Sequence, residues 1–210
     1  MSVEVQSPPA PTTARTWREV LLDDLKAMSW TRFGLILVIM LMIVVFASLN
    51  PNFTSGTNLR NVLRQTAILG IAACGQTMVI LSGGFDLSVG MVIGFVSVNS
   101  AMVMAEHGLW PGIMSGLLFG TMIGAMNGLM VAKAGLPPFI ATLATYSAAR
   151  GLALIISGGL PITDLPDAFA WVAAGQILTI PVPAVIAGAV FLASAYLMRK
   201  TRFGRYVYAI

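Results

Sequence analysis

The sequence predicts an all-α, polytopic integral membrane protein with about six transmembrane helices. Of its 210 residues, 57% are hydrophobic and only 10% are charged, whereas soluble domains carry about 25% charged residues. Apolar stretches long enough to cross a bilayer alternate with short polar segments. The basic residues lie beside these stretches, where they set topology, so the net charge of +4 does not indicate a nucleic-acid partner.

Three parts of the chain are expected from hydropathy. Residues 1–32 are polar and of mixed charge, which predicts a cytoplasmic N-terminal tail. Residues 33–198 form the transmembrane domain, and residues 199–210 form a basic cytoplasmic segment. The predicted spans cover approximately residues 34–49, 60–81, 87–105, 111–132, 138–156 and 177–198.

The second span is less apolar than the first, which ends at Asn50-Pro51-Asn52. Gln65 and Gln76 are eleven residues apart, close to three helical turns, so they share one face of the helix. That face packs on neighbouring helices or lines a pathway, and either role keeps it away from lipid.

The stretch SGGFDLSVG, residues 82–90, interrupts the chain between the second and third spans. Gly83 and Gly84 break a helix, and a charge such as Asp86 at membrane depth costs at least ~2.5 kcal/mol. One interpretation is a helix start, in which the Asp86 carboxylate caps the free N–H groups of the next turn. The other is a broken helix inside the membrane that lines a cavity. The two interpretations are compatible.

The third and fourth spans carry polar and small residues at helical spacing. Asp86, Ser97 and Ser100 fall on one side of the third span. Asn127 lies near a ridge of glycines in the fourth span and should face protein. Glycines at strict i+4 spacing allow another helix to approach closely; they are Gly116, Gly120, Gly124 and Gly128.

In the fifth span, Thr142, Tyr146 and Arg150 form a polar stripe at i, i+4 and i+8. An arginine in this position faces protein or water rather than lipid. Residues 158–176 are rich in Gly and Pro and are expected to form a loop. The sixth span follows, with Pro181 and Pro183 near its start.

The placement of Lys and Arg predicts the orientation of the chain. With the N-terminus inside and six spans, the inside segments hold nine bases: four in residues 1–32, one at Lys133 and four in residues 199–210. The outside segments hold only Arg60 and Arg64. An odd number of spans would place one basic end outside, against the positive-inside rule.

Enzyme chemistry is not expected of this chain. It holds one cysteine, Cys74, and one histidine, His107, so no metal cluster is predicted. No nucleophile and base stand at plausible spacing, and no G-x-x-x-x-G-K-[ST] phosphate loop occurs. We therefore predict no catalytic residue, no metal and no cofactor.

Three segments carry a resemblance to a known family. SGGFDLSVG resembles the GGIDLSVG signature of permease subunits of bacterial ABC importers for ribose and related monosaccharides, with Phe85 in place of the usual isoleucine. Residues 136–162, LPPFIATLATYSAARGLALIISGGLPI, resemble the P-F-I-A-T-L…R-G-L…G-x-P-I block of that family. Residues 201–210, TRFGRYVYAI, resemble the start of its cytoplasmic T-x-F-G-R-x-x-Y-A-I-G-x-N segment.

The resemblance implies a multi-pass protein of the bacterial inner membrane that pairs with a second permease subunit, identical or different. It also implies a cytoplasmic ATP-binding subunit and a periplasmic sugar-binding protein as partners. Four residues would then lie in the segment that couples to the ATPase: Phe203, Gly204, Arg205 and Tyr206. Because the family pattern continues beyond Ile210, the chain resembles an N-terminal portion of such a permease.

The function expected from these features is ATP-driven import of a monosaccharide by alternating access. Neutral sugars call for polar, mostly uncharged groups along the pathway, and six side chains are candidates: Gln76, Asp86, Ser97, Asn127, Thr142 and Tyr146. Two alternative hypotheses stay open. One is that the chain is an inactive or truncated membrane remnant. The other is that it is a proton-coupled secondary transporter that uses Asp86.

Overall fold

The computed structural model describes residues 30–209, so residues 1–29 of the predicted tail lie outside it. The described range contains eight helices and one two-stranded antiparallel sheet. The helices are α1 Trp30–Leu49, α2 Gly56–Leu81, α3 Val89–His107, α4 Leu109–Ala132, α5 Pro138–Ser157, α6 Asp167–Ala174, α7 Val182–Lys200 and α8 Arg202–Tyr208. The strands are β1 Gln176–Ile177 and β2 Ile180–Pro181. The all-α prediction is confirmed, apart from this short hairpin.

The chain divides into two compact units, one ending at Ser55 and the other beginning at Gly56. In the first unit, α1 ends where Asn50 donates its N–H to the Phe46 carbonyl at 3.0 Å. The Asn50 side chain accepts the N–H of Asn52 at 2.9 Å, across Pro51, which has no N–H. The rings of Phe46 and Phe53 lie 5.7 Å apart, so the turn packs back onto the end of its helix.

In the second unit the helices form two groups. Helix α3 packs along α4 and α5, while α2 packs along α7. Helix α8 folds back on α7 and contacts α2. The segment between α2 and α3, residues 82–88, connects the two groups.

Helix α4 approaches α3 most closely at Gly112, four residues before the first glycine of the predicted series. A Cβ atom built there would lie 2.6 Å from Met104 Cβ and 2.9 Å from the Ser100 carbonyl oxygen. At Gly116 the same atom would lie 3.2 Å from Ser100 Oγ. The Ser100 hydroxyl donates to the Gly112 carbonyl at 2.6 Å, which ties the two helices together at this end.

The predicted packing ridge does not extend along the whole of α4. At Gly120 the nearest atom to a built Cβ is a methyl carbon of Val96 at 4.0 Å. Apart from the adjoining backbone of α4 itself, nothing lies within 4 Å of a Cβ built at Gly124 or Gly128. The ridge therefore supports close helix contact only at its N-terminal end, and Gly124 and Gly128 line a cavity instead.

The prediction of a sixth span starting at residue 177 was wrong in its first turn. Residues 176–181 form the β1–β2 hairpin, in which Ile177 pairs with Ile180, and the helix starts only at Val182. The reason is Pro181, which disfavours helical backbone at the residue before it. Pro183 sits in the first turn of α7, where proline lacks no needed hydrogen bond.

The predicted loop 158–176 contains a helix that the Gly and Pro content concealed. Helix α6 starts after Pro166 and carries Asp167 in its first turn, where a carboxylate interacts favourably with the helix dipole. It ends at Gly175, where a Cβ atom would overlap the Trp171 carbonyl oxygen. The sequence therefore contained signals for the start and the end of a helix, but the helix between them has only eight residues.

Among the described residues, four helices are long and apolar enough to cross a membrane by length and composition: α3, α4, α5 and α7. The apolar part of α1, Phe33–Leu49, is shorter. Helix α2 has 26 residues but is not among the four. Most large apolar side chains of α1 are exposed, a surface that suits lipid rather than water.

Candidate functional site

The SGGFDLSVG stretch forms a defined break between α2 and α3. Helix α2 ends at Leu81 and is closed by Gly83, whose φ of +72° is a conformation that suits glycine. The N–H of Gly83 bonds to the Ile80 carbonyl at 3.0 Å, and that of Gly84 bonds to the Val79 carbonyl at 2.9 Å. This pair of bonds is the Schellman motif, which closes a helix and turns the chain away from its axis.

Asp86 organises the chain that leaves this turn. Its Oδ1 atom accepts the backbone N–H of Ser88 at 2.7 Å and the Ser88 hydroxyl at 2.6 Å. Helix α3 starts one residue later, at Val89, and has no side-chain cap on its own N–H groups. The Asp86 carboxylate therefore does not cap the first turn of the helix, as one interpretation had expected. It accepts hydrogen bonds only from Ser88 and so stabilises the turn before the helix.

A chain of hydrogen bonds runs from Asp86 into the interior. Ser88 donates to Asp86 and accepts from the Asn127 amide at 3.0 Å. Asn127 in turn accepts the Thr145 hydroxyl at 2.5 Å. Ser88, Asn127 and Thr145 are 1%, 6% and 5% exposed, and buried polar groups of this kind are stable only when they are paired.

Two further side chains bind the backbone of the same stretch. The Thr142 hydroxyl accepts the Leu87 N–H at 3.2 Å and donates to the Pro138 carbonyl at 2.8 Å. The Gln76 amide donates to the Asp86 carbonyl at 3.2 Å. We call the six residues the Asp86 cluster: Gln76, Asp86, Ser88, Asn127, Thr142 and Thr145.

Two cavities flank the cluster. One has a volume of about 330 Å³ and is lined by Asp86, Asn127 and Thr142, together with Gly124 and Gly128 of α4. The other, about 490 Å³, lies between α2 and α3 and is lined by Gln76 and Asp86 among apolar residues. Among the residues that the structure describes, Asp86 is the one charged side chain in the lining of either cavity. Apart from this carboxylate, both linings consist of uncharged residues.

The structure brings four of the six predicted pathway residues together: Gln76, Asp86, Asn127 and Thr142. Ser97 is exposed and lines neither cavity, and Ser100 faces Gly112 instead. Tyr146 is half-buried and also lines neither cavity. Asp86 does not share a helical face with Ser97 and Ser100, as the spacing had predicted, because α3 starts only at Val89.

Sequence reasoning missed Ser88 and Thr145 as members of the cluster. The inward face of α5 consists of Ala141, Thr142, Thr145 and Ala149, whereas Arg150, in the predicted stripe, is exposed. Small residues at i and i+4 mark a face that packs on another helix. That signal at Ala141, Thr145 and Ala149 points to the buried side better than polarity does.

The predicted coupling segment forms α8. The Thr201 hydroxyl accepts the Gly204 N–H at 3.5 Å and donates to the Leu197 carbonyl at 2.6 Å, so it joins the start of α8 to the end of α7. Gly204 is buried. Phe203, Arg205 and Tyr206 are exposed and available to another protein.

Comparison with known proteins identifies the family. Residues 58–210 match the family model described as branched-chain amino acid transport system, permease component. The ribose import permease protein RbsC of Bacillus subtilis (strain 168) is 45% identical over 185 residues, covering 85% of this chain and 56% of the relative. No solved structure matches the chain significantly.

Two other relatives have similar coverage. The ribose import permease protein RbsC of Escherichia coli (strain K12) is 37% identical over 180 residues, which cover 83% of this chain and 56% of the relative. The L-arabinose transport system permease protein AraH of the same strain is 36% identical over 182 residues, which cover 86% and 56%. The chain thus spans about half the length of the curated relatives it matches.

The family match covers all three motifs that carried the resemblance, since each lies between residues 58 and 210. With the four candidate spans of the described residues, it confirms the prediction of a multi-pass protein of the inner membrane. The chain belongs to the family of permease components of branched-chain amino acid transport systems.

Proposed function

We propose that this chain forms part of the membrane-spanning permease of an ATP-driven importer for a monosaccharide of the ribose type. The observation that carries the proposal is the 45% identity to a ribose import permease protein over 185 residues. Relatives named for ribose and for L-arabinose both match at more than a third identity, which favours a pentose as solute.

The chemistry of the Asp86 cluster supports a sugar rather than an amino acid, although the family description names the latter. A zwitterionic amino acid needs partners of both signs, and the described linings of the two cavities offer one carboxylate and no base. Amides and hydroxyls, such as those of Asn127 and Thr142, pair with the hydroxyl groups of a sugar without a charge.

In this proposal Asp86 has a structural as well as a pathway role. Its Oδ1 holds the turn at Ser88, while Gln76 and Thr142 hold the neighbouring backbone from α2 and α5. Irregular backbone at membrane depth is tolerated where protein or a cavity surrounds it. The cluster keeps the break open in one shape, and the two cavities give a solute access to it.

Energy would come from a separate cytoplasmic ATP-binding subunit that docks on α8. The exposed side chains Phe203, Arg205 and Tyr206 form the contact, and the Thr201 bonds transmit its movement to α7. A periplasmic sugar-binding protein would deliver the solute, and a second permease subunit would complete the pathway. The basic end of α7 and the N-terminus lie on the cytoplasmic side in this arrangement.

Uptake by the reconstituted transporter tests the proposal. Proteoliposomes would contain the permease with its ATP-binding subunit, and the sugar-binding protein would be added with radiolabelled ribose, L-arabinose or leucine. We expect ATP-dependent uptake of a pentose that an uncoupler does not reduce. Uptake that collapses with the uncoupler at constant ATP would identify a proton-coupled transporter, leucine uptake would reassign the solute, and no uptake of any solute would favour a remnant.

A further inference from the structure

The tip of the β1–β2 hairpin combines high exposure with a strained backbone. Leu178 is 94% exposed and has φ +59°. The two residues between the paired positions Ile177 and Ile180 form the turn, and two-residue turns normally place Gly, Asn or Asp at positive φ. A leucine there is disfavoured by the backbone, so the reason for its presence must be sought in the side chain.

Hydrogen bonds and burial hold the base of the hairpin in place. Arg64 donates to the Ala174 carbonyl at 3.0 Å, at the end of α6. Gly175 donates its N–H to the Trp171 carbonyl at 2.6 Å and accepts that of Val182 at 3.0 Å. Because Pro181 and Val182 are buried as well, the body of the protein holds the tip in a defined direction.

The position of the hairpin along α7 sets its depth in the membrane. Helix α7 has 19 residues, which at a rise of 1.5 Å per residue make about 28 Å, close to the ~30 Å of the hydrocarbon core. Its last turn carries Arg199 and Lys200, which stay at one membrane surface. Residues that directly precede Val182 therefore lie at the opposite surface.

The hairpin continues the lipid-facing surface of α7. No charged residue occurs between Asp167 and Arg199. Ile177 and Ile180 are exposed beside Leu178, and Val185 and Ile186 are exposed at the start of α7. Trp171, also exposed, stands at the base of the hairpin, and tryptophan is enriched at the level of the lipid headgroups.

We propose that Ile177, Leu178 and Ile180 insert into the boundary between headgroups and acyl chains, at the membrane face opposite the basic end of α7. The hairpin then acts as an apolar anchor that fixes the height of α7 in the bilayer. The occupant of this surface is lipid, because three of its five exposed side chains are large and apolar, Gln176 and Thr179 are uncharged, and the hairpin adjoins a transmembrane span. This role is independent of the solute and of the transport cycle.

Spin-label accessibility tests the anchor in the full chain. A nitroxide is attached to Leu178→Cys or to Ile180→Cys, in a Cys74→Ala background, and the protein is reconstituted in nanodiscs of phosphatidylethanolamine and phosphatidylglycerol. Ile180 has ordinary backbone, so it reports even if labelling disturbs the tip. The matched control is Asp164→Cys, the other described non-glycine residue with positive φ, which is exposed in the same connection between α5 and α7.

We expect both hairpin labels to collide with dissolved oxygen severalfold more often, relative to a water-soluble nickel chelate, than the label at residue 164. A nickel accessibility equal to that of the control would place the tip in water and overturn the proposal. Low accessibility to both oxygen and nickel would overturn it too, since a second copy or another protein would then cover the hairpin.

Discussion

Gly204 lies directly against the backbone carbonyl of Met198, so closely that a Cβ atom at residue 204 would overlap it. The contact folds α8 onto the end of α7, and the obstructing atoms belong to the backbone, which no side-chain movement relieves. Gly204→Ala should therefore lower the free energy of unfolding by about 1–3 kcal/mol or displace α8. Thermal unfolding in detergent measures the effect. Gly188→Ala, in α7 with nothing within 4 Å of the new methyl group, should be tolerated.

Arg205 is exposed on the proposed docking surface. Arg205→Glu should reduce ATP-dependent uptake at least about tenfold, the effect of ~1.4 kcal/mol at an interface, while membrane insertion stays normal. Lys133→Glu is the control, because Lys133 is also exposed and lies on the same predicted side of the membrane. Normal uptake by Arg205→Glu would contradict the proposal that α8 docks on the ATP-binding subunit.

Thr145 supplies the last bond in the chain of hydrogen bonds from Asp86. Thr145→Val keeps the shape of the side chain but leaves the buried Asn127 Oδ1 without its donor, which costs about 1–3 kcal/mol of stability. Ser147→Ala, which removes only a bond to the Leu143 carbonyl of its own exposed helix face, should change stability by less than ~0.5 kcal/mol. Denaturation of both variants measures the difference.

The coupling between Thr145 and Asn127 can be measured separately. If the two side chains act through one bond, Thr145→Val and Asn127→Leu together should destabilise by less than the sum of the single changes, because the Asn127–Thr145 bond can be lost only once, while the Asn127–Ser88 bond is lost in both Asn127 variants. Strict additivity in this double-mutant cycle would mean that the Asn127–Thr145 bond contributes no stability.

Two glycines of α4 should respond in opposite ways to the same substitution. At Gly112 a methyl group meets Met104 Cβ at 2.6 Å, so Gly112→Ala should destabilise by about 1–3 kcal/mol through overpacking. At Gly124 it meets nothing within 4 Å, and Gly124→Ala should stabilise the helix by about 0.5–1 kcal/mol. Equal effects at the two sites, measured by thermal unfolding, would contradict the difference in packing between Gly112 and Gly124.

The protein should be more stable with glycine than with leucine at residue 178. Left-handed backbone costs a leucine roughly 1–2 kcal/mol. Glycine avoids this cost, but it loses more conformational entropy on folding, which destabilises by about 0.5–1 kcal/mol. Leu178→Gly should therefore raise the free energy of unfolding by up to about 1 kcal/mol. Leu178→Ala is the control, because it keeps the Cβ atom and hence the strain. If Leu178→Gly were no more stable than Leu178→Ala, which loses most of the same apolar side chain, the backbone at residue 178 would be unstrained.

The break at residues 82–88 was predictable because its causes are local. Gly83 takes the positive φ that ends α2, and Asp86 reaches Ser88 two residues along the chain. The start of α5 follows in the same way from Pro138. Pro181 and Pro183 carried an equally local signal for the start of α7, which the prediction of a span from residue 177 did not use. Such signals act within a few residues, so no knowledge of the fold is needed to read them.

Hydropathy, glycine and proline positions, and the distribution of bases established the membrane class, the approximate helices and the break. Which face of each helix turns inward was settled by packing: α4 and α5 bring Asn127 and Thr145 to Ser88, and α3 meets α4 at Gly112 rather than along the whole ridge. The physical reason is that lipid is as apolar as the side chains of a packed helix interface. Hydrophobic patterning therefore cannot separate a lipid-facing surface from a protein-facing one, and only the positions of neighbouring helices can.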